Sequence, residues 1–385
     1  MRRFLNEFWR GLTEPSLAAV GVAVALALSL FGICAFTITP AMIADGTFVT
    51  FAGDDEAALT AAALAQPKIP LNRVNLVLIG SSASREALEN VHGVELRVGP
   101  LLGINGRDVT FRALTAGALT HVNAAALIDS LPPGFHGLVV LEISERNLAL
   151  DQEESVRPRV GPRLPLDSPL HDQLLERLGA PPPRRTGNLF IDHHDFFLAR
   201  PAVLELLWRG PIEPAFHQID DFPEPTAAQW DRIAAQAGEW MEDYDERSPI
   251  NLDLYQWLIG QLKARPKVGV ALLQAMRNPD VSAKAYAEPA AAAMWARYRA
   301  DVDALAARTG VPIWRIGEDA AIEGSMYRDG AHIVVPEGRR RFTEDFARRV
   351  ADWCAATSCV APERGPPRGA GQPEGPPRGP APVKP

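Results

Sequence analysis

Apolar residues follow three patterns along this chain: one long unbroken run near the start, several short runs ended by glycine, and stretches where polar residues return at helical spacing. The long run extends from Leu17 to Ile38, with no charged residue between Glu14 and Asp45. At about 1.5 Å per helical residue it is long enough to cross a hydrocarbon core about 30 Å thick, so it predicts a transmembrane helix over 17–38. A cleaved signal peptide begins with the same charge pattern, but its apolar region runs to roughly 7–15 residues and ends in a small-x-small site. This run is longer, and Ala41-Met42-Ile43-Ala44 matches such a site poorly, which favours an uncleaved anchor. Arg2, Arg3 and Arg10 precede the run, whereas Asp45, Asp54, Asp55 and Glu56 follow it. The positive-inside bias then places residues 1–16 in the cytoplasm and the rest outside. The expectation is a single-pass protein of the cell inner membrane with a periplasmic, extracytoplasmic C-terminal domain. Cys34 follows the bulky Ile33 where a lipid-attachment motif needs a small residue, and reads as a residue of the membrane helix.

Residues 39–70 read as an alanine-rich juxtamembrane helix, about Asp54 to Ala65, and a linker through Pro67 and Pro70. A folded domain is expected over 71–361. Val74-Asn75-Leu76-Val77-Leu78-Ile79 is a short, nearly continuous apolar run stopping at Gly80, the pattern of a central parallel strand covered on both faces. Ser84 to Asn90 predicts a helix, Val94 to Val98 a strand, Thr110 to Leu131 a helix, and Gly137 to Ile143 a second strongly apolar strand. Later come a helix from Ala290 to Thr309 closed by Gly310, a strand from Val311 to Ile316 and a last helix from about Glu337 to Ala355. Strands alternating with helices predict a parallel sheet between helical layers, a three-layer α/β/α sandwich. Between the halves, about 149–279, lies a proline- and tryptophan-rich segment with helices near Leu170–Leu178, Ala227–Tyr244 and Leu252–Ala264. It reads as a helical insertion capping the sheet. Residues 362–385 are dominated by Pro, Gly and Arg, a composition that buries too little surface to offset its ordering entropy, and are expected to be a disordered tail.

With 385 residues and 47% hydrophobic content the chain can fill a sizeable core. A net charge of -8 and pI near 5.6, with no basic stripe interleaved with aromatic residues, argue against nucleic acid as a partner. Cys354 and Cys359 lie close together, which in an exported protein suggests a disulfide, two unpaired thiols being the alternative. Without a second pair they make a poor zinc site. No metal or cofactor is called for.

In an open parallel sheet the chemistry sits at the carboxyl ends of the strands. Gly80-Ser81-Ser82 follows the first strand and precedes a helix, so Ser82 is best placed to attack a substrate, with backbone N–H groups nearby to hold an oxyanion. A serine cap on an ordinary turn is the bland alternative. Near the other end, Asp329-Gly330-Ala331-His332 sets a carboxylate and an imidazole three residues apart. The carboxylate can orient the ring while its other nitrogen takes a proton from serine.

The order of these motifs resembles the SGNH or GDSL hydrolase superfamily. Gly80-Ser81-Ser82 looks like its G-D-S motif, and Asp329 to His332 like the D-x-x-H before its last helix. The resemblance implies an SGNH-like domain with Ser82 as nucleophile, His332 as base and Asp329 as its orienter. It offers Asn147 and Gly117 as oxyanion residues. Asn147 stands in Ser144-Glu145-Arg146-Asn147, where the glycine and aspartate of G-x-N-D are missing; Gly117 falls in a stretch also read as helix. Ser81 replaces the aspartate of G-D-S, as in membrane-anchored acyltransfer relatives of the DltD-like and alginate-acetylation kinds. His193-His194-Asp195, and His217 with Asp220 and Asp221, match no metal motif and read as loop or cap contacts. Trp208, Trp230, Trp240 and Trp257 read as packing within the insertion, and Arg85 and Glu86 as solvated helix surface.

The implied function is a membrane-anchored serine esterase or O-acyltransferase. Its substrate would be an envelope polysaccharide, related glycan or acylated small molecule, and a multispanning membrane acyltransferase would be its partner. The alternative is a catalytically silent domain of the same kind, serving as a scaffold in an envelope assembly complex.

Overall fold

A computed structural model of the chain describes residues 17–44, 55–151, 164–198, 225–239 and 241–357. Five parallel strands form one sheet: β1 (Val74–Ser81), β2 (Val109–Ala116), β3 (Gly137–Ile143), β4 (Val268–Gln274) and β5 (Ile313–Trp314). The helices that frame it are, in chain order, α1 (Leu17–Thr37), α2 (Asp55–Leu64), α3 (Ser82–Ala87), α4 (Val91–Leu101), α5 (His121–Asp129), α6 (Tyr244–Lys263), α7 (Pro289–Thr309) and α8 (Pro336–Thr357), with shorter ones between them.

The strand order is β2-β1-β3-β4-β5, so the chain steps from β1 to one side and then crosses back to build the other. Right-handed crossovers require helices on opposite faces for the two directions. The core divides accordingly. Ala83, Ala87, Val94 and Val98 of α3 and α4 join Phe342, Phe346 and Val350 of α8 on one face. Val122 and Leu127 of α5, Leu258 of α6, and Tyr298 and Leu305 of α7 pack on the other. Because both faces are covered, β1 and β3 are buried almost end to end, which is why they read as nearly continuous apolar runs, interrupted by Asn75 and Glu142. Gly137 opens β3 at φ 138°, and a Cβ there would lie 2.0 Å from the Asn75 carbonyl, so only glycine lets β3 start against β1.

Several elements differ from the sequence expectation. Val94–Val98 lies in helix α4, not a strand: Asn90 caps it through Gly93 N–H, and Val94 and Val98, four apart, share the buried face. The predicted helix over Thr110–Leu131 is two elements, β2 and then α5. No proline marks the break; it falls at Gly117 and Ala118, the latter at φ 57°, after which Thr120 and Asn123 form a capping box. Gly117 is therefore outside any helix. The segment 149–279 is not wholly an insertion, because β4 pairs with β3 and α6 packs beneath the sheet. The last strand is shorter than Val311–Ile316: only Ile313 and Trp314 pair with β4, after Pro312, which has no N–H to give.

Among the described residues α1 is the one helix long and apolar enough to cross a membrane, with a mean hydropathy of 2.3 over Val20–Thr37. Its end packs Ala35 against Ile43, Ala61, Phe190 and Phe196, while Leu26, Leu28 and Phe36 are exposed. The tail at 362–385 lies outside the described residues.

Candidate active site

The reversal in strand order falls between β1 and β3, the place where open α/β sheets leave a crevice at their carboxyl ends. Ser82 stands directly after β1, Ser144 and Asn147 after β3, Ala275 to Arg277 after β4, and His332 in the loop before α8. Together they line a cleft of about 120 Å³.

Ser82 Oγ lies 2.9 Å from His332 Nε2. The other ring nitrogen, Nδ1, lies 2.8 Å from Asp329 Oδ2. Asp329 Oδ1 also accepts the backbone N–H groups of Ala331 and His332, each at 2.9 Å, so the tight turn itself fixes the carboxylate against the ring. Burial pushes the Asp329 carboxyl up, but the His332 hydrogen bond and charge and these two N–H groups outweigh it and hold it down at about 2. Asn278 secures the loop from β4's side: its N–H donates to Gly330 O at 2.9 Å and its Nδ2 to Asp329 O at 3.3 Å. The structure thus brings together all three residues singled out for catalysis.

Glu142 was not anticipated. It is the one charged residue in the apolar strand β3, which is the signal that marks it. Ile79 pairs with Leu141, so Glu142 falls next to Gly80 at the carboxyl edge. Its buried carboxylate accepts Ser81 N–H at 2.8 Å and the Ser81 hydroxyl at 2.7 Å. Ser81 Oγ in turn accepts Ala83 N–H at 3.2 Å, capping α3. A Cβ on residue 80 would sit 2.6 Å from both Glu142 Oε2 and Ser84 Oγ, so glycine there is what allows the carboxylate to reach the turn.

Of the two oxyanion residues considered, Asn147 lines the cleft and Gly117 stands one residue back from it, beside Ala118, which lines it. Asn147 Nδ2 donates to Tyr255 OH at 3.1 Å, and that hydroxyl donates to Glu142 O at 3.1 Å. Arg146 and Arg277 also line the cleft, and burial lowers the pKa of both. Arg277 is ion-paired with the fully buried Glu145.

Arg85 and Glu86 are buried instead of solvated. Glu86 accepts Arg328 Nη2 at 3.1 Å, and its carbonyl accepts Arg339 Nε at 3.0 Å. The Glu86–Arg328 pair ties the end of α3 to the loop carrying Asp329. Cys354 is buried and disulfide-bonded, while Cys359 lies outside the described residues. Trp257 has Arg177 over its ring at 5.0 Å, and Trp230 packs on Ala234 and Val281. Trp208, Trp240, His217, Asp220 and Asp221 lie outside the described residues. His193 meets Asp167 at 3.2 Å and His194 meets Ile191 O at 3.1 Å. Among the described residues no three His, Cys, Asp or Glu converge to hold a metal ion.

Comparison with protein families and with curated proteins finds no match to this chain.

Proposed function

We propose that the protein is a membrane-anchored, extracytoplasmic serine esterase or O-acyltransferase of the SGNH kind, acting on an envelope glycan through an acyl-serine intermediate. The observation that carries this reading is the continuous path Ser82 Oγ, His332 Nε2, His332 Nδ1, Asp329, with steps of 2.9 and 2.8 Å between groups from opposite ends of the domain. A nucleophile after the first strand and a D-x-x-H turn before the last helix of a parallel sheet support the SGNH assignment.

In the first half-reaction Ser82 Oγ attacks the ester carbonyl and its proton passes to His332 Nε2. Asp329, ionised, holds the ring by Nδ1 and stabilises the imidazolium. The carbonyl oxygen becomes an oxyanion, for which the Asn147 amide and backbone N–H groups of the turn are the available donors. Collapse breaks the bond to the alcohol, which leaves with the proton from His332. Water or a sugar hydroxyl then reverses these steps and frees Ser82. The exposed apolar surface of α1, with arginines before it and acids after it, supports an anchor with the catalytic domain outside the cytoplasm.

The test is fluorophosphonate labelling and p-nitrophenyl acetate hydrolysis by the full chain in detergent. Labelling that is lost in Ser82→Ala and slowed in His332→Ala supports the reading. A wild-type protein that neither labels nor hydrolyses overturns it in favour of a silent scaffold.

A further inference from the structure

The end of α1 carries a companion from far along the chain. Cys34, Ala35 and Ile38 pack into one apolar cluster with Phe190, Phe196 and Phe197 of two short helices, Leu189–Asp192 and His194–Leu198. The rings of Phe31 and Phe190 meet edge to face at 5.1 Å. Asn188 opens the first short helix: its Oδ1 accepts Ile191 N–H at 3.1 Å, and its Nδ2 donates to Ala35 O at 2.7 Å. That carbonyl is one of the last four of α1, which helix geometry leaves without an intrahelical donor. The contact is therefore built from a polar bond as well as apolar packing.

The depth of this contact follows from charge. A hydrocarbon core about 30 Å thick takes about 20 helical residues, and charged side chains are costly within it. The stretch free of charge is 15–44, so a span of that length starts between 15 and 25 and ends between 34 and 44. Phe31 lies inside the hydrocarbon in every such position. If the core ends with α1 at Thr37, Phe31 is six residues, about 9 Å, below its edge. Phe190, in ring contact with it, is carried to a similar depth.

The segment's own chemistry fits that place. Its polar groups are tied back to neighbouring chain: the Asp192 carboxylate accepts Gly187 N–H at 2.8 Å, and His193 meets Asp167 at 3.2 Å. Ile191 and, on α1, Phe36 are left exposed.

We infer that residues 188–198 are a second membrane attachment, an interfacial element seated among the lipid acyl chains at the C-terminal end of α1. Elements of this kind bury their apolar side about 5–10 Å into the headgroup and acyl boundary, in keeping with the depth of Phe31. Held at two points, the catalytic domain rests on the bilayer and does not swing freely on residues 39–70. The inference rests on the anchor in the proposed function and is independent of the chemistry at Ser82.

Nitroxide depth measurement on the full chain in phosphatidylcholine–phosphatidylglycerol nanodiscs tests it. Single labels at Leu28→Cys, Ile191→Cys and Ile250→Cys, in a Cys34→Ala background, are compared for collisions with oxygen, which favours lipid, and with a water-soluble nickel chelate. All three positions are exposed, so the substitutions leave the core intact. We expect the Leu28 label in the acyl core, the Ile250 label in water and the Ile191 label about 5–10 Å below the headgroups. An Ile191 label in water beside a Leu28 label in lipid overturns the inference alone. A Leu28 label in water overturns the anchor and the inference together. Fluorophosphonate labelling of the same samples reports separately on Ser82.

Discussion

Glu142 and Ser81 are joined twice, the carboxylate on β3 accepting both the N–H and the hydroxyl of the residue before Ser82. The turn that presents Ser82 is thus held from the neighbouring strand, where the resembled family places an acid in the turn itself. Glu142→Gln keeps the shape but offers one acceptor for two donors, leaving a buried group unsatisfied. We expect a loss of about 1–3 kcal/mol of stability, read by urea denaturation, and a fall in kcat larger than any change in KM. A variant as stable and as active as wild type would remove Glu142 from the account.

Asp329→Asn preserves the turn but removes the charge that fixes the imidazole tautomer. Esterase kcat should drop by about 10³ to 10⁴-fold, the loss expected when a triad acid is neutralised. In the wild type, an Asp329 carboxyl held at about 2 contributes stability above its unfolded pKa near 3.8, and that contribution disappears as pH falls through 2. Stability measured from pH 5 to 2 should therefore fall less steeply in the asparagine variant.

His121 is fully buried on α5, tilted against Tyr255 with ring centroids 5.9 Å apart, and both its nitrogens lack partners among the described residues. Burial pushes its pKa down from 6.5 to about 4. Because the folded state keeps the ring neutral, the unfolded chain binds more protons between those values, so stability is full above 6.5 and falls as pH drops toward 4. A shift of this size corresponds to roughly 3 kcal/mol. His121→Gln, which cannot titrate, should flatten the urea midpoint between pH 6.5 and 4.5; an unchanged slope would contradict this.

Gly80→Ala would thrust a methyl 2.6 Å from Glu142 Oε2 and Ser84 Oγ. The carboxylate must then move off Ser81, so hydrolysis should fall together with the thermal midpoint. Thermal melts and p-nitrophenyl acetate assays on the same preparation would show the two effects together.

Local signals were enough to find β1, β3, α8 and the Asp329–His332 turn, because each depends on residues adjacent in the chain. Where period decided the element, Val94 and Val98 were misread: two valines four apart fit a helix face, and only the Asn90 cap distinguishes it from a short strand. The apolar run of β4 was hidden inside a segment assigned as insertion, since nothing local says which strand it joins. Glu142, Arg277 and the Glu86–Arg328 pair act across the sheet or between distant loops, and their partners are set by register and topology. A residue's neighbours along the chain carry no trace of such pairings.

Ser82 and His332 stand 250 positions apart. A growing polypeptide holds Ser82 long before it holds His332, and closing so large a loop waits on β3, β4 and the loop before α8. On the proposed reading, synthesis and sheet assembly would act as a timer on reactivity: until the final strands dock, Ser82 has no imidazole beside it and is an ordinary alcohol.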